Sequence, residues 1–278
     1  MRRILWVLPL LFILAGCPGT SDKEELEALI TEDLADILLP DLPSGEEGDT
    51  VMPETKDYIW VFWYREPDPG RHERYLDIDV EGDSAFVIIT RELWGTFHRF
   101  PVVDTTSFVR ESLEDVPKDL HDKATRYAIF KRTGDPKHRK GWELFALSGI
   151  DVKSQDTLTV RIDSFRVEAS NLDTIIKDSL FLWNKDNLIT LPPSDTVTLT
   201  VYASDEAMLF LHTRGPEPGT HRRFPIPKIE PGVFQGVWVT APDTGIHHVA
   251  IDAIRYETIW DDEYPYDSNA WLLPYRVE

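Results

Sequence analysis

Hydrophobic positions along the chain fall into three regimes. Ile4 to Leu14 is almost entirely apolar. At about a dozen residues it is too short for a bilayer span, which needs about 20, and fits the apolar core of a cleavable leader. From Ser21 to Leu39 the period is helical: Leu26, Leu29, Ile30, Leu34, Ile37 and Leu38 recur at spacings of three and four. Ser21 suits the N-cap, Asp22, Glu24 and Glu25 suit the positive end of the helix dipole, and Pro40 ends the helix. Pro40 to Thr50 reads as a solvated loop.

The rest reads as strands. Tyr58 to Tyr64 is an apolar run that periodicity leaves open between helix and strand. Pro67-Asp68-Pro69-Gly70 predicts a turn. Leu76, Ile78 and Val80 then alternate with Tyr75, Asp77 and Asp79, Glu81-Gly82-Asp83 predicts a hairpin turn, and Phe86 to Phe100 continues as a long strand with a bend at Gly95. Residues 104–122 have weak periodicity. Ala124 to Arg132 and Trp142 to Val152 form a further strand pair around a basic loop, and Ser154-Gln155-Asp156 is a turn. Eight short strands follow: Thr157–Val167, Asn187–Leu191, Thr196–Ala203, Ala207–Thr213, Arg222–Ile226, Val233–Thr240, Ile246–Tyr256 and Trp271–Val277. Prolines fall between them, as in antiparallel sandwiches. The fold class expected is therefore an α+β N-terminal domain over residues 22–154, a curved antiparallel sheet packed on a helix, followed by an all-β sandwich over residues 155–278.

Composition narrows the function classes. The formal net charge is −20, from 29 Lys+Arg against 49 Asp+Glu, which argues against nucleic acid as a partner. Hydrophobic content of 42%, with Trp 9, Tyr 9 and Phe 13, is ample for a packed core and excludes wholesale disorder. One cysteine allows neither an intrachain disulfide nor a Cys-based zinc site.

That cysteine stands at a distinctive place. Arg2 and Arg3, the apolar run, and then Leu14-Ala15-Gly16-Cys17 occur in the order of a bacterial lipoprotein signal, which the segment resembles. The resemblance implies removal of residues 1–16, acylation of Cys17, a tether over residues 17–21, and a lipid anchor in the cell membrane or outer membrane. The protein would then face the periplasm or exterior. The mature chain would carry a formal charge near −22 (27 − 49), so the lipid and not the protein surface would hold it to a bilayer.

Two further resemblances bear on the fold. The element order of the first half and the phrase Trp142 to Ser148 resemble the nuclear-transport-factor-two-like (ketosteroid-isomerase-like) cone, which implies a pocket. Pro193 to Val201, and Asp243-Thr244-Gly245-Ile246-His247 with histidine where that family has tyrosine, resemble an immunoglobulin-like sandwich. Neither fold supplies a function by itself.

Candidate chemistry is sparse. Asp77 and Asp79 share one face of a strand; in a pocket, with His98, such carboxylates could abstract a proton, and otherwise they decorate the solvated face. His212, His221, His247 and His248 have no metal-site spacing. Trp260 to Asn269 interleaves acids with aromatics. It could hold Ca²⁺ or stack on a sugar or partner, or be an acidic loop anchored by Trp260 and Trp271. Trp60, Phe62, Trp63 and Tyr64 either line a pocket or fill a core.

The expectation is a non-catalytic envelope lipoprotein binding an unidentified envelope protein or small ligand. Trp60, Trp63, Trp260, Tyr264 and Tyr266 are the candidate binding residues, and no cofactor, metal or catalytic residue is expected. The alternatives are an isomerase- or hydrolase-like enzyme with its pocket in residues 55–152, and a carbohydrate- or calcium-binding surface module.

Overall fold

Alternation of inward apolar and outward polar side chains runs further along this chain than its sequence suggests. A computed structural model describes residues 20–42, 50–51, 60–102, 114–214 and 221–278, with the backbone alone at 50, 51, 60, 214 and 221. The leader, Cys17 and the side chain of Trp60 lie outside the described residues.

The helical segment is α1 (Asp22–Ala28), a π-helical turn over Leu29–Asp33, and α2 (Ala35–Leu38). Ser21 caps α1 in a capping box with Glu24. The helix expected over residues 21–39 is broken at Leu34, which leaves helical geometry at φ −119° and ψ 18°. Strands follow as β1 (Thr50–Val51), β2 (Trp60–Glu81), β3 (Ser84–Val102), β4 (Lys118–Arg132), β5 (Trp142–Leu147), β6 (Ile150–Ser154), β7 (Ile162–Ala169) and β8 (Leu172–Ile176). They continue as β9 (Trp183–Asn184), β10 (Thr190–Leu191), β11 (Thr196–Ala203), β12 (Ala207–Arg214), β13 (His221–Ile226), β14 (Lys228–Glu230), β15 (Val233–Val239) and β16 (Gly245–Arg255). A short α3 (Tyr256–Trp260) precedes β17 (Ser268–Val277).

Pro67 to Gly70 does not end a strand. β2 runs through it, and the register against β3 shifts between Pro67 and His72, so the extra residues bulge out opposite Trp94. Gly95 lies beneath the bulge. A Cβ there would stand 2.2 Å from the Glu66 carbonyl oxygen and 2.8 Å from Pro67 Cα, so only glycine permits this approach. The predicted hairpin turn does form, with Gly82 at φ +59°.

One twelve-stranded sheet has the order β1-β2-β3-β4-β6-β17-β16-β12-β13, with β5, β9 and β10 as branches; β14-β15-β11-β7-β8 is a second, five-stranded sheet. All pairings are antiparallel except β10 with β17. This overturns the expected fold class. The described residues are mostly strand, α1 is the one helix of seven residues, and there is no separate α+β domain ahead of an all-β one. The reason lies in β17. It pairs with β6 on one edge and β16 on the other, and it is buried on both faces. Its near-continuous apolar run, Ala270 to Tyr275, is that of a central strand with no free edge.

Each face of this wall has its own core. Trp271, Leu273 and Tyr275 of β17, with Val249 and Ile251 of β16, pack against Phe165, Leu199, Val201 and Trp238 of the five-stranded sheet. On the other face Phe210 of β12 and Ile254 of β16 cluster with Val61, Trp63, Phe97 and Leu120 of β2–β4. Since β2 and β12 lie near opposite ends of the strand order, the large sheet curls until its ends approach. Arg223 of β13 completes the approach by donating to the Trp63 carbonyl at 3.1 Å. Each fully buried side chain such as Phe210 contributes about 1.5–3 kcal/mol. One end of the curl is covered by Leu26, Leu29, Ile30 and Leu38 of the helical segment, against Val87, Ile89, Ala128 and Phe130.

Candidate functional site

Inside the curl, strands that should present only apolar side chains present charges. On β4 the inward positions are Lys118, Leu120, Asp122, Ala124, Arg126, Ala128 and Phe130, all buried. The strand begins at Lys118, six residues ahead of the expected start, because its first inward residues include Lys118 and Asp122 and so hid the alternation. Arg65 of β2 and Arg99 of β3 likewise share the buried face with Trp63 and Phe97.

These charges are met across the interior. The Arg65 guanidinium donates to both oxygens of Asp252 on β16, at 2.6 and 3.1 Å, to Ser268 Oγ at 3.0 Å, and through Nε to Tyr266 Oη at 2.8 Å. Ser268 in turn donates to Asp252 at 2.9 Å, and Tyr266 donates to Asp122 Oδ2 at 3.0 Å. His212 Nε2 lies 3.4 Å from Asp252 Oδ2. A bidentate pair with further hydrogen bonds is the geometry that offsets the cost of burying ions. Burial alone would raise the Asp252 pKa; the Arg65 charge more than offsets this and holds it well below the usual carboxylate range. Asp122 goes the other way. Burial raises its pKa to about 6, and neither the more distant Arg65 charge nor the Tyr266 hydrogen bond cancels that.

Farther along β4, Arg126 donates to the Ile37 carbonyl and to His248 Nε2 at 2.9 Å. Burial and then the Arg91 charge bring its pKa down to about 9. His248, half-buried beside it, is held well below the usual histidine pKa by desolvation first and by Arg126 second, so its ring is neutral and accepts.

A cavity of about 870 Å³ opens between the helical segment and β2–β4. Apolar walls come from Leu39, Leu42, Leu76, Ile78, Leu93 and Leu120. Arg65 and Asp122 are its deeply buried polar residues, 4% and 8% exposed. Nearer the mouth stand Arg91, half-buried, and the exposed Glu73, Arg74 and Asp77. The volume is that of a small-molecule site, and the lining carries more charged than apolar side chains, most of them exposed.

The residues singled out from sequence are placed as follows. Asp77 stands exposed among the cavity-lining residues, and Asp79 is exposed. His98 lies between Glu66 at 2.9 Å and Asp115 at 2.7 Å, stacked on Tyr64, on a strand position whose neighbours Phe97 and Arg99 face inward. None of the three reaches the cavity floor, where the buried carboxylate is Asp122. Trp63, Trp260 and Tyr266 belong to one buried cluster, and Tyr264 is half-buried.

The acidic loop is tied down internally. Asp262 pairs with Arg99 at 2.7 Å, Lys118 donates to the Asp261 and Tyr264 carbonyls, and Asp261 caps the Glu263 amide at 2.8 Å. The fully buried Asp267 accepts from the Thr159 amide at 3.0 Å. Among the described residues no group of three or more acidic, His or Cys side chains could hold a metal ion. His247 Nε2 lies 2.9 Å from the Asp243 carbonyl oxygen, a side-chain-to-backbone contact within the stretch Asp243 to His247.

Sequence reasoning missed Arg65, Asp122, Arg126, Asp252 and Ser268, and weighed His212 only as a metal ligand. The available signal was parity: each shares the period-two face of buried apolar neighbours on its strand.

No protein-family model matches this chain, and no curated protein sequence matches it.

Proposed function

We propose that the protein is a lipid-anchored, non-catalytic ligand-binding protein of the bacterial cell envelope. The observation that carries the binding role is the cavity with the Arg65–Asp122–Tyr266–Asp252 network at its base. A network that crosses β2, β4, β16 and β17 fixes the cavity wall against collapse and sets two polar residues within reach of an occupant. Support for the location is the order Arg2-Arg3, apolar run, Leu14-Ala15-Gly16-Cys17. Acyl chains contribute about 0.8 kcal/mol per buried methylene, so a doubly or triply acylated Cys17 would hold a strongly acidic protein at a bilayer. Among the described residues no helix is long and apolar enough to cross a membrane.

Two measurements test this. Alkyne-palmitate labelling in a bacterial host should mark the wild-type chain and place it with membranes, and Cys17→Ser should abolish both. A small-molecule extract of bacterial envelopes should raise the melting temperature of the wild type but not of Leu93→Trp, which fills the cavity. An unlabelled wild type would end the anchor, and equal shifts in both proteins would end the cavity as binding site.

A further inference from the structure

Among the cavity charges that are not exposed, Asp122 and Arg91 are the described ones that the fold leaves incompletely matched. Asp122 is 8% exposed, and its Oδ1 has no hydrogen-bond partner among the described residues. Leaving a buried carboxylate oxygen unmatched costs about 1–3 kcal/mol or more, whereas Asp252 deeper in the same network has every contact Arg65 and Ser268 can give. On the neighbouring strand Arg91 donates to the Leu39 carbonyl at 3.3 Å, and among the described residues no carboxylate lies within 4 Å of its guanidinium. Burial brings its pKa down to about 10, and the charge of Asp41, the acid it feels most, does not cancel that. A guanidinium has five donors in a planar fork suited to a carboxylate, so one long bond to a carbonyl leaves most of its capacity unused.

The register sets these groups side by side. Arg91 pairs with Ala124 and Leu93 with Asp122, so Arg91 and Asp122 are diagonal neighbours on one face. Apolar Leu39, Leu76, Leu93 and Leu120 line the same space. We propose that the cavity binds an amphoteric, peptide-sized ligand, with its ammonium on Asp122, its carboxylate on Arg91 and an apolar body against the leucines. This rests on reading the cavity as a binding site. A cavity of about 870 Å³ lies within the range of about 300–1,000 Å³ typical for drug-sized ligands, which suits a short peptide better than a single amino acid. A purely anionic ligand would leave Asp122 unmatched and meet its charge, and a purely cationic one would do the same with Arg91.

The test is calorimetric titration of the full chain with the tripeptide alanyl-leucyl-alanine in four forms: free ends, N-acetylated, C-amidated, and both. The free form should bind, and blocking either end should weaken binding at least tenfold. Asp122→Asn should erase the penalty of N-acetylation alone, and Arg91→Gln that of amidation alone, while Arg91→Lys should keep it. Equal affinity of all four forms, or penalties that persist in these variants, would overturn the assignment. In that case 1-anilinonaphthalene-8-sulfonate binding that Leu93→Trp abolishes would leave the cavity as a binding site for another ligand class. If neither dye nor peptide binds, both readings fail.

Discussion

Arg65 and Asp252 meet as a bidentate ion pair, at 2.6 and 3.1 Å, although 187 residues separate them along the chain. Arg65 lies near one end of the large sheet's strand order and Asp252 two strands from the other. Their pairing therefore bridges the curled sheet across its interior. Removing one partner strands the other as an uncompensated buried charge. Asp252→Ala should cost on the order of 3–5 kcal/mol. A joint Arg65→Met, Asp252→Leu replacement should cost less than the sum of the two single changes. Urea denaturation of the four proteins gives the coupling directly; additive losses would show that the pair is not the bridge described.

Asp122 makes stability depend on pH in an unusual direction. Burial raises its folded pKa to about 6, above the ordinary aspartate value of 3.8. The folded state therefore holds the proton more tightly, and this group's favourable contribution is complete below about pH 4 and lost as pH rises through 6. Asp122→Asn, which still accepts from Tyr266, should be more stable than wild type at pH 7. The advantage should be on the order of 2–3 kcal/mol and vanish near pH 4. Parallel stability profiles for the two proteins would contradict this.

His248 has the opposite sign. Its folded pKa lies well below 6.5, because of burial and then Arg126. The unfolded chain takes up a proton that the folded chain refuses, so stability falls as pH drops below 6.5. His212 shares the direction, with burial the main cause. His248→Gln keeps an acceptor for Arg126 and should lose less melting temperature than wild type between pH 7 and pH 5. An equal or larger loss would rule the mechanism out.

Gly95 is required by contact distance. A Cβ at this position would stand 2.2 Å from the Glu66 carbonyl oxygen, so Gly95→Ala must push β2 away from β3 at the bulge. Thermal unfolding should show a loss of about 1–3 kcal/mol. Gly70→Ala, where a Cβ would meet the Asp68 side chain at an ordinary 3.4 Å, should be close to neutral.

Much of the strand layout was legible. β11 begins and ends where alternation of Thr196, Thr198 and Thr200 with Val197, Leu199 and Val201 says it should, and Ser21 caps α1 as its sequence indicates. Local patterns state which residues alternate and where the chain turns. They do not state which strands become neighbours: β6 finds β17 more than a hundred residues later, and that pairing joins strands of both expected domains in the large sheet. The candidate site was hidden for a related reason. A charged residue on an apolar strand face reads locally as an interruption, so Asp122 and Lys118 obscured the start of β4 and Arg65 fell outside the apolar run Tyr58 to Tyr64. Only the partner contributed by a remote strand turns each interruption into part of a network.

The most direct test of the cavity as a ligand site is native mass spectrometry of the full chain extracted from bacterial envelopes in mild detergent. The expected spectrum of the wild type shows the acylated polypeptide plus a discrete additional mass of small-molecule size, released on unfolding and absent from Leu93→Trp. Wild type and Leu93→Trp both appearing as acylated polypeptide alone would contradict the account.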